Sequence, residues 1–170
     1  MNNQTYTSAN TSINSSKLPT AITKFSAYGR VLDYGCGKFY SHTQNYVESS
    51  GATYFPYDPY NVDTETNLKT LDYGSTHSFD TIFCCNVLNV IDSDDEIWRI
   101  LHNMYNMLGV YGVLYIQIYE GNKTGIGKCT KKDCYQRNMK TTEYFRFFGA
   151  FQGSPFKFSF HGNIIKIVKD

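Results

Sequence analysis

One seven-residue segment constrains the fold of this chain more than any other part of its sequence: Val31-Leu-Asp-Tyr-Gly-Cys-Gly37. An apolar run of this length is typical of a buried strand, and here it carries an acid, Asp33, and ends in a Gly-x-Gly turn. Glycines let a backbone approach a ligand closely, and a carboxylate accepts hydrogen bonds from it. The segment therefore predicts a nucleotide-type site at the carboxyl edge of a sheet.

Three ligand classes compete for such a turn. A phosphate-binding loop requires glycine at position 32 and Ser or Thr at position 39, where this chain has Leu32 and Phe39. The dinucleotide fingerprint requires a third glycine three residues beyond Gly37, where Tyr40 stands. The remaining class is the turn that binds S-adenosylmethionine (SAM).

The rest of the chain alternates between strand and helix patterns. Strands are predicted at 30–34, 53–57, 79–85 and 113–119, and helices at 19–27, 41–50, 93–108 and 141–150, with Gly109 and Gly112 bracketing the exit from the third helix. Residues 61–78 are polar and predict an irregular segment with a short strand near Leu71. Alternating segments at 156–160 and 163–168 predict a closing hairpin.

This order predicts an α/β protein: a Rossmann-like three-layer sandwich with a mostly parallel sheet and a C-terminal antiparallel β-hairpin. We expect one domain over residues 17–170, preceded by a flexible arm at 1–16 that is rich in Asn, Thr and Ser.

The segment Val31–Gly37 closely resembles motif I of the class I SAM-dependent methyltransferases, and the likeness extends over roughly residues 18 to 170. It implies SAM as cofactor and methyl transfer as activity. By this resemblance an acid after the second strand binds the ribose, an acid near the third strand lies close to the adenine, and the loop after Phe79-Asp80 and its strand faces the transferred methyl group. The implied cofactor-binding residues are Asp33, Gly35, Cys36, Gly37, Asp58, Pro59, Asp72, Asn86 and Val87.

The arm resembles the segment ahead of motif I in small phage- and prophage-type methyltransferases, where it folds over the cofactor. This resemblance implies that Asn14 and Ser15 line the SAM site, and a loose terminus is the alternative. One departure from the family is Phe39, which stands where a third glycine is usual; its bulk predicts a narrowed methionine end of the pocket or a tilted following helix.

No Cys or His is placed to act as a covalent nucleophile or base. We instead expect Asn86 and Tyr119 to position the substrate and Glu120 to accept a proton.

The methyl acceptor is indicated only by the stretch 121–146, which holds seven Lys or Arg against two acids. It resembles the tails of methyltransferases of DNA-modification systems, with Lys131, Lys132 and Arg137 as candidates to hold a polyanion and Tyr135 to stack on a base. We therefore expect a nucleic acid or nucleobase acceptor, with a small molecule, or a partner subunit that supplies recognition, as alternatives. A non-catalytic SAM-binding subunit and a SAM-consuming enzyme of another kind are the rival functions.

The bulk composition adds three expectations. A net charge of +1 gives no overall field that favours nucleic acid or a membrane. Five cysteines, an odd number, with no secretory segment indicate reduced thiols in a cytoplasmic protein. The sequence indicates no membrane span and no metal site.

Overall fold

The computed structural model describes residues 17–151, 153 and 155–170. The predicted arm at 1–16, with Asn14 and Ser15, lies outside these described residues. The strands are β1 (Arg30–Tyr34), β2 (Thr53–Tyr57), β3 (Phe79–Cys85), β4 (Leu108–Gln117), β5 (Lys128–Lys131), β6 (Cys134–Gln136), β7 (Phe156–His161) and β8 (Ile164–Lys169). The helices are α1 (Thr20–Lys24), α2 (Tyr40–Glu48), α3 (Thr64–Thr76) and α4 (Asp94–Met107), with 3-10 segments at Leu88–Val90 and Thr141–Phe151.

The main sheet has six strands in the order β2-β1-β3-β4-β8-β7. The first four are parallel, and β8 and β7 are antiparallel to their neighbours. This arrangement confirms the predicted Rossmann-like α/β fold with its closing hairpin.

Alternating side chains of the central strands supply two cores, one on each face of the sheet. Val31 packs with α1 and α2, whereas Leu32 packs with α4 and the 3-10 segment Thr141–Phe151. Strand β3 alternates in the same way, with Phe83 on the first face and Ile82 on the second. Because successive strand residues point to opposite faces, helices cover both sides and the three layers follow.

Helix α4 begins where its sequence predicts. The Ser93 hydroxyl accepts a hydrogen bond of 3.2 Å from the backbone N–H of Glu96, and the first turn carries three acids. Both features stabilise a helix N-terminus because they satisfy a free N–H group and complement the helix dipole.

The irregular segment and short strand predicted for 61–78 were wrong, since this region forms α3. The Asp63 side chain accepts from the Thr66 N–H at 2.9 Å and caps the helix. Its buried face is polar: the Thr70 hydroxyl donates to the backbone oxygen of Pro56 at 2.9 Å, and Asn67 is also buried. An apolar helical pattern is missing because this face binds the backbone around the end of β2 by hydrogen bonds.

Three further predictions needed correction. Strand β4 begins at Leu108, directly after α4, and its pairing with β3 jumps from Leu108 to Val113, so both glycines lie in an irregular stretch of the strand. The helix at 141–150 is present but has 3-10 geometry, in keeping with the three-residue spacing of Tyr144 and Phe147. The basic stretch 121–146, for which no strand was predicted before residue 141, contains the small hairpin β5–β6.

Candidate functional site

A cavity of about 640 Å³ opens at the carboxyl ends of β1, β2 and β3. Strand β1 lies between β2 and β3, so the chain order reverses at β1. In open α/β sheets this reversal leaves a crevice in which ligands bind. The volume lies within the roughly 300–1,000 Å³ of small-molecule sites.

The Gly-x-Gly turn forms one side of the cavity. Gly35 and Gly37 have φ of 80° and 74°, which L-residues with side chains rarely adopt. The N–H groups of Gly35 and Cys36 donate to the Tyr57 oxygen at 2.6 and 3.2 Å and fix the turn to the end of β2. A Cβ added at Gly35 would lie 2.3 Å from a methyl carbon of Val87, whereas one at Gly37 would meet nothing within 4 Å. The turn is therefore packed at its first glycine and open at its second.

Asp58 closes the same turn from β2. Its Oδ2 accepts from the Gly37 N–H at 3.0 Å, and its Oδ1 accepts from the N–H groups of Tyr60 and Asn61 at 2.9 and 3.0 Å. Asn67 on α3 holds the backbone on both sides, accepting from the Asp58 N–H and donating to the Asp58 oxygen. Oδ2 retains one acceptor position for a ligand hydroxyl.

Asp33 is deeply buried at the cavity wall, with 3% of its surface exposed. Its Oδ2 accepts a 2.6 Å hydrogen bond from the Tyr54 hydroxyl. Burial raises the pKa of Asp33 to about 6, because the ionised carboxylate loses its hydration; the Tyr54 bond opposes this and the charge of Asp58 adds to it. A cationic ligand in the cavity would favour the ionised form.

Asn86 follows β3 and has a φ of 60°, which asparagine tolerates better than most residues. Its N–H donates to the Gln117 oxygen at 2.8 Å, which joins the ends of β3 and β4. The Gln117 side-chain oxygen in turn accepts from the Ala21 N–H at 2.8 Å. Both Asn86 and Gln117 line the cavity, so two side-chain amides face the ligand space.

The cavity also has a polar end that the sequence analysis missed. It is formed by Tyr34, Tyr57, Glu96 and Arg99, all of which line the cavity. Arg99 donates to both carboxylate oxygens of Glu96, one at 2.9 Å from Nε and a shorter one from Nη2. The available sequence signal was the position of Glu96, one residue before Ile97, which lies on the buried face of α4.

Most of the predicted cofactor residues within the described part lie together. Those lining the cavity are Asp33, Gly35, Cys36, Gly37, Asp58, Pro59, Asn86 and Val87. Asp72 does not line the cavity, because it lies on the exposed face of α3 and not after a strand. Phe39 is 43% exposed at the start of α2 and lines the cavity without closing it.

Two of the three predicted catalytic residues lie outside the cavity lining. Tyr119 has 61% of its surface exposed. Glu120 instead ties two loops together: its Oε1 accepts from the Thr141 N–H at 2.7 Å, and its Oε2 pairs with Lys123 at 3.0 Å. The Thr141 bond is the main reason why the pKa of Glu120 is lowered, which makes it a weaker proton acceptor.

The basic stretch is less available to a polyanion than its composition indicated. Arg137 is buried, pairs with Asp94 at 2.7 Å and lies over the Phe147 ring, so its predicted role in holding a polyanion was wrong. Arg146 pairs with the other oxygen of Asp94 at 3.0 Å, and Lys123 pairs with Glu120. Lys128, Lys131, Lys132 and Lys140 are exposed.

The cysteines at the sheet edge are unsuited to nucleophilic chemistry. Burial raises the pKa values of Cys36, Cys84 and Cys85, which keeps them as thiols. Within residues 17–151, 153 and 155–170, no three His, Cys, Asp or Glu side chains cluster as a metal site. In that same part of the chain no helix combines the length and apolarity needed to cross a bilayer.

No protein-family model and no curated protein matches the sequence at a significant level. The fold is similar to solved methyltransferases. A SAM-dependent methyltransferase from Methanosarcina mazei shares 12% identity, with 89% of this chain and 96% of that chain covered and a TM-score of 0.57. The 1,6-didemethyltoxoflavin-N1-methyltransferase of Burkholderia thailandensis was solved with 1,6-didemethyltoxoflavin and S-adenosylhomocysteine. It shares 16% sequence identity, with 86% of this chain and 73% of that chain covered and a TM-score of 0.62. A sugar N-methyltransferase from Streptoalloteichus shares 13% identity, with 83% of this chain and 80% of that chain covered and a TM-score of 0.54. The chain therefore has the fold of the class I SAM-dependent methyltransferases.

Proposed function

We propose that this protein is a SAM-dependent methyltransferase that acts on a small molecule. The observation that carries the proposal is the cavity at the strand-order reversal, where the open glycine turn, Asp33 and Asp58 meet. These are the groups that the motif I resemblance assigns to SAM, and the fold is one in which solved relatives bind its product, S-adenosylhomocysteine (SAH).

The described residues fit such a cofactor. Gly37 has open space where a Cβ would stand, so a ligand can lie against the turn. Asp58 retains an acceptor position for a ribose hydroxyl, and the Asp33 carboxylate lies in the same cavity to attract the positive charge of the methionine part.

Bound SAM supplies a methyl group on a positively charged sulfur. Its transfer to a lone pair of the acceptor would break the carbon–sulfur bond and leave SAH, with the acceptor's proton released to solvent. The protein's contribution is alignment. Asn86 and Gln117 offer amide donors and acceptors at the cavity and are the proposed substrate-positioning residues.

A small acceptor is favoured over nucleic acid because three of the seven basic residues in 121–146 are held in ion pairs. The similar N-methyltransferases with named substrates act on toxoflavin precursors and sugars. We retain nucleic acid, presented to the exposed lysines of the β5–β6 hairpin, as the competing acceptor. The phage-type relationship, the partner subunit and the cytoplasmic location remain predictions.

The decisive experiment combines binding with transfer. Calorimetric titration with SAM and SAH is expected to show one site, and methyl-labelled SAM is then incubated with a small-metabolite extract, with DNA and with RNA in parallel. Label in the metabolite fraction supports the proposal, whereas label in nucleic acid overturns the acceptor class. Binding without any transfer favours a non-catalytic SAM-binding subunit, and cofactor breakdown without transfer favours a different SAM-consuming enzyme.

A further inference from the structure

The side-chain amide of Gln117, the last residue of β4, is fixed in one orientation by the protein. Its Oε1 accepts a 2.8 Å hydrogen bond from the backbone N–H of Ala21, in the first turn of α1. A backbone N–H only donates, so the amide atom next to it is the oxygen, and the amide cannot turn over without losing that bond. The nitrogen Nε2 is therefore held in place as a hydrogen-bond donor.

This donor is open to the cavity. Gln117 is 7% exposed and lines the cavity, and no described residue accepts a hydrogen bond from its Nε2. Gln136 is equally buried but lies outside the cavity lining; its Nε2 donates to the Tyr119 oxygen at 2.9 Å and its Oε1 accepts from Asn89 at 3.2 Å. Because buried polar groups are nearly always paired and an unpaired donor costs free energy, the open donor of Gln117 calls for a partner on the ligand.

The position of Gln117 across the sheet assigns that partner to the methyl acceptor. The cavity edge carries Asp58 after β2, Asp33 in β1, Asn86 after β3 and Gln117 at the end of β4, in that order. Neighbouring strands lie about 4.8 Å apart, so Gln117 is roughly 14 Å from Asp58 across the sheet. With the ribose at Asp58 and the methionine part at Asp33, the acceptor falls at the β3 and β4 side.

The fixed donor restricts the chemistry of the acceptor. A protonated amine offers no lone pair, and a hydroxyl brings a proton that needs an acceptor of its own. A carbonyl oxygen or an unprotonated ring nitrogen needs only the donor. The Asn86 backbone N–H binds the Gln117 oxygen at 2.8 Å, and the Asn86 amide beside Gln117 offers an acceptor as well as a donor. The two amides together match a carbonyl next to an N–H, the edge of an amide or lactam.

Building on the function proposed above, we infer that the methyl acceptor is an amide, a lactam or a related planar heterocycle whose carbonyl oxygen or ring nitrogen accepts a hydrogen bond from Gln117 Nε2. Gln117 determines specificity, because it favours these acceptors over amines and alcohols. Ala21 acts through Gln117 as a positioning residue, since its N–H fixes the orientation of the amide.

The test begins with the product. Wild-type protein is incubated with methyl-labelled SAM and a small-metabolite extract, and the labelled compound is identified by mass spectrometry. It is expected to carry a carbonyl or an unprotonated ring nitrogen in the same ring or amide group as the methylated atom. The kcat/KM for that compound is then measured in variants of Gln117, together with their affinity for SAH.

Gln117→Glu keeps an oxygen for Ala21 but replaces the donor by an acceptor. Its kcat/KM is expected to fall roughly 10- to 100-fold at pH 8, the usual effect of losing one hydrogen bond and leaving a polar group unpaired. As the pH falls, the new carboxyl gains a proton and can donate again, so the deficit relative to the wild type should shrink. Gln117→Met has a similar volume without polar atoms and should show the loss without this recovery. Both variants should bind SAH within about twofold of the wild type.

The matched control is Gln136→Glu, which removes the donor of an equally buried glutamine outside the cavity lining. It should be less stable, because its new oxygen faces the Tyr119 oxygen, but the folded protein should keep the wild-type kcat/KM.

A labelled product with only amine or hydroxyl groups around the methylated atom overturns the inference, as does wild-type kcat/KM in Gln117→Glu. Loss of SAH binding in the folded Gln117 variants also overturns it, because the donor then faces the cofactor. Should neither variant fold, the identity of the product still decides. Label in nucleic acid alone, or in no metabolite, overturns the small-molecule acceptor as well, and absence of SAH binding by the wild type overturns the SAM site itself.

Discussion

The backbone N–H of Gly37 donates a 3.0 Å hydrogen bond to Oδ2 of Asp58, and this bond links the glycine turn after β1 to the end of β2. The two residues are 21 positions apart in the sequence but lie on adjacent parallel strands. The acid therefore shapes the backbone of the turn as well as offering an acceptor to the ligand.

The first prediction concerns that acid. Asp58→Ala leaves three backbone N–H groups without their acceptor, and we expect a loss of about 2–4 kcal/mol in the free energy of unfolding, together with loss of SAH binding. Asp58→Asn keeps an oxygen for Tyr60 and Asn61 but turns an N–H donor toward Gly37, so it should lose less. Urea unfolding and calorimetry measure the two effects.

The control for this prediction is the neighbouring Asp63→Ala. Asp63 caps α3 through Thr66 at the surface, so we expect a smaller loss of stability, from the lost N-cap, and unchanged SAH affinity. Equal SAH affinity in Asp58→Ala and the wild-type protein would contradict the role assigned to Asp58.

The second prediction follows from the raised pKa of Asp33. The folded value of about 6 lies above the unfolded value of 3.8, so the native state binds more protons between these pH values, and stability falls as the pH rises through that window. At pH 8 the ionised group destabilises the protein by up to about 3 kcal/mol, since one pKa unit corresponds to 1.36 kcal/mol. Asp33→Asn removes this cost and keeps an acceptor for Tyr54.

We therefore expect Asp33→Asn to be more stable than the wild-type protein at pH 8, with the difference vanishing near pH 4, and to bind SAM more weakly. Unfolding curves at both pH values measure the stability. The surface variant Asp63→Asn should show no such gain. If the stability of Asp33→Asn relative to the wild-type protein is lower at pH 8 than at pH 4, the ionised Asp33 is stabilised by its surroundings.

The sequence predicted the parts of this site that depend on local chain chemistry. Gly35 and Gly37 have positive φ, so the turn is visible in a linear pattern, whereas the acid after β2 was implied by the family resemblance. The polar end at Glu96 is different, because it depends on the fold bringing α4 to the cavity that the ends of β1 and β2 also line. Asp72 was misplaced for a related reason: α3 buries Asn67 and Thr70 through hydrogen bonds, which an apolar pattern does not register.

The third prediction separates packing from ligand access within the turn. Gly35→Ala combines a strained φ with a Cβ only 2.3 Å from Val87, and we expect a loss of about 3 kcal/mol in stability. Gly37→Ala has the same backbone strain but no neighbour within 4 Å, so it should lose only about 1–2 kcal/mol. Its new methyl group should instead weaken SAH binding.

Val87→Ala provides the test of the steric part. The double variant Gly35→Ala/Val87→Ala should lose less stability than the two single variants lose together, by about 1 kcal/mol or more, because the second change removes the clash. Additive effects in urea unfolding would mean that backbone strain alone explains the need for glycine at this position.

The fourth prediction decides whether Glu120 takes part in the reaction or only supports the loop that follows β4. Its carboxylate binds the Thr141 N–H and Lys123, and its pKa is lowered, first of all by the Thr141 bond. A lowered pKa means that the stabilisation is present above the unfolded value of 4.5 and is lost as the pH falls through the lower folded value. Glu120→Gln should therefore be less stable than the wild-type protein at pH 7 and equal to it in acid.

The same variant should leave catalysis unchanged, because Glu120 does not line the cavity. We expect kcat and its pH profile to match the wild type within about twofold, far from the roughly 100-fold loss typical of a missing general base. A large fall in kcat at constant KM, with loss of the acidic limb of the pH profile, would return Glu120 to the role of proton acceptor. Thr141→Pro removes the N–H that binds Glu120 but keeps the carboxylate. If kcat is unchanged in Thr141→Pro and reduced in Glu120→Gln, the carboxylate acts in the reaction and not through the loop.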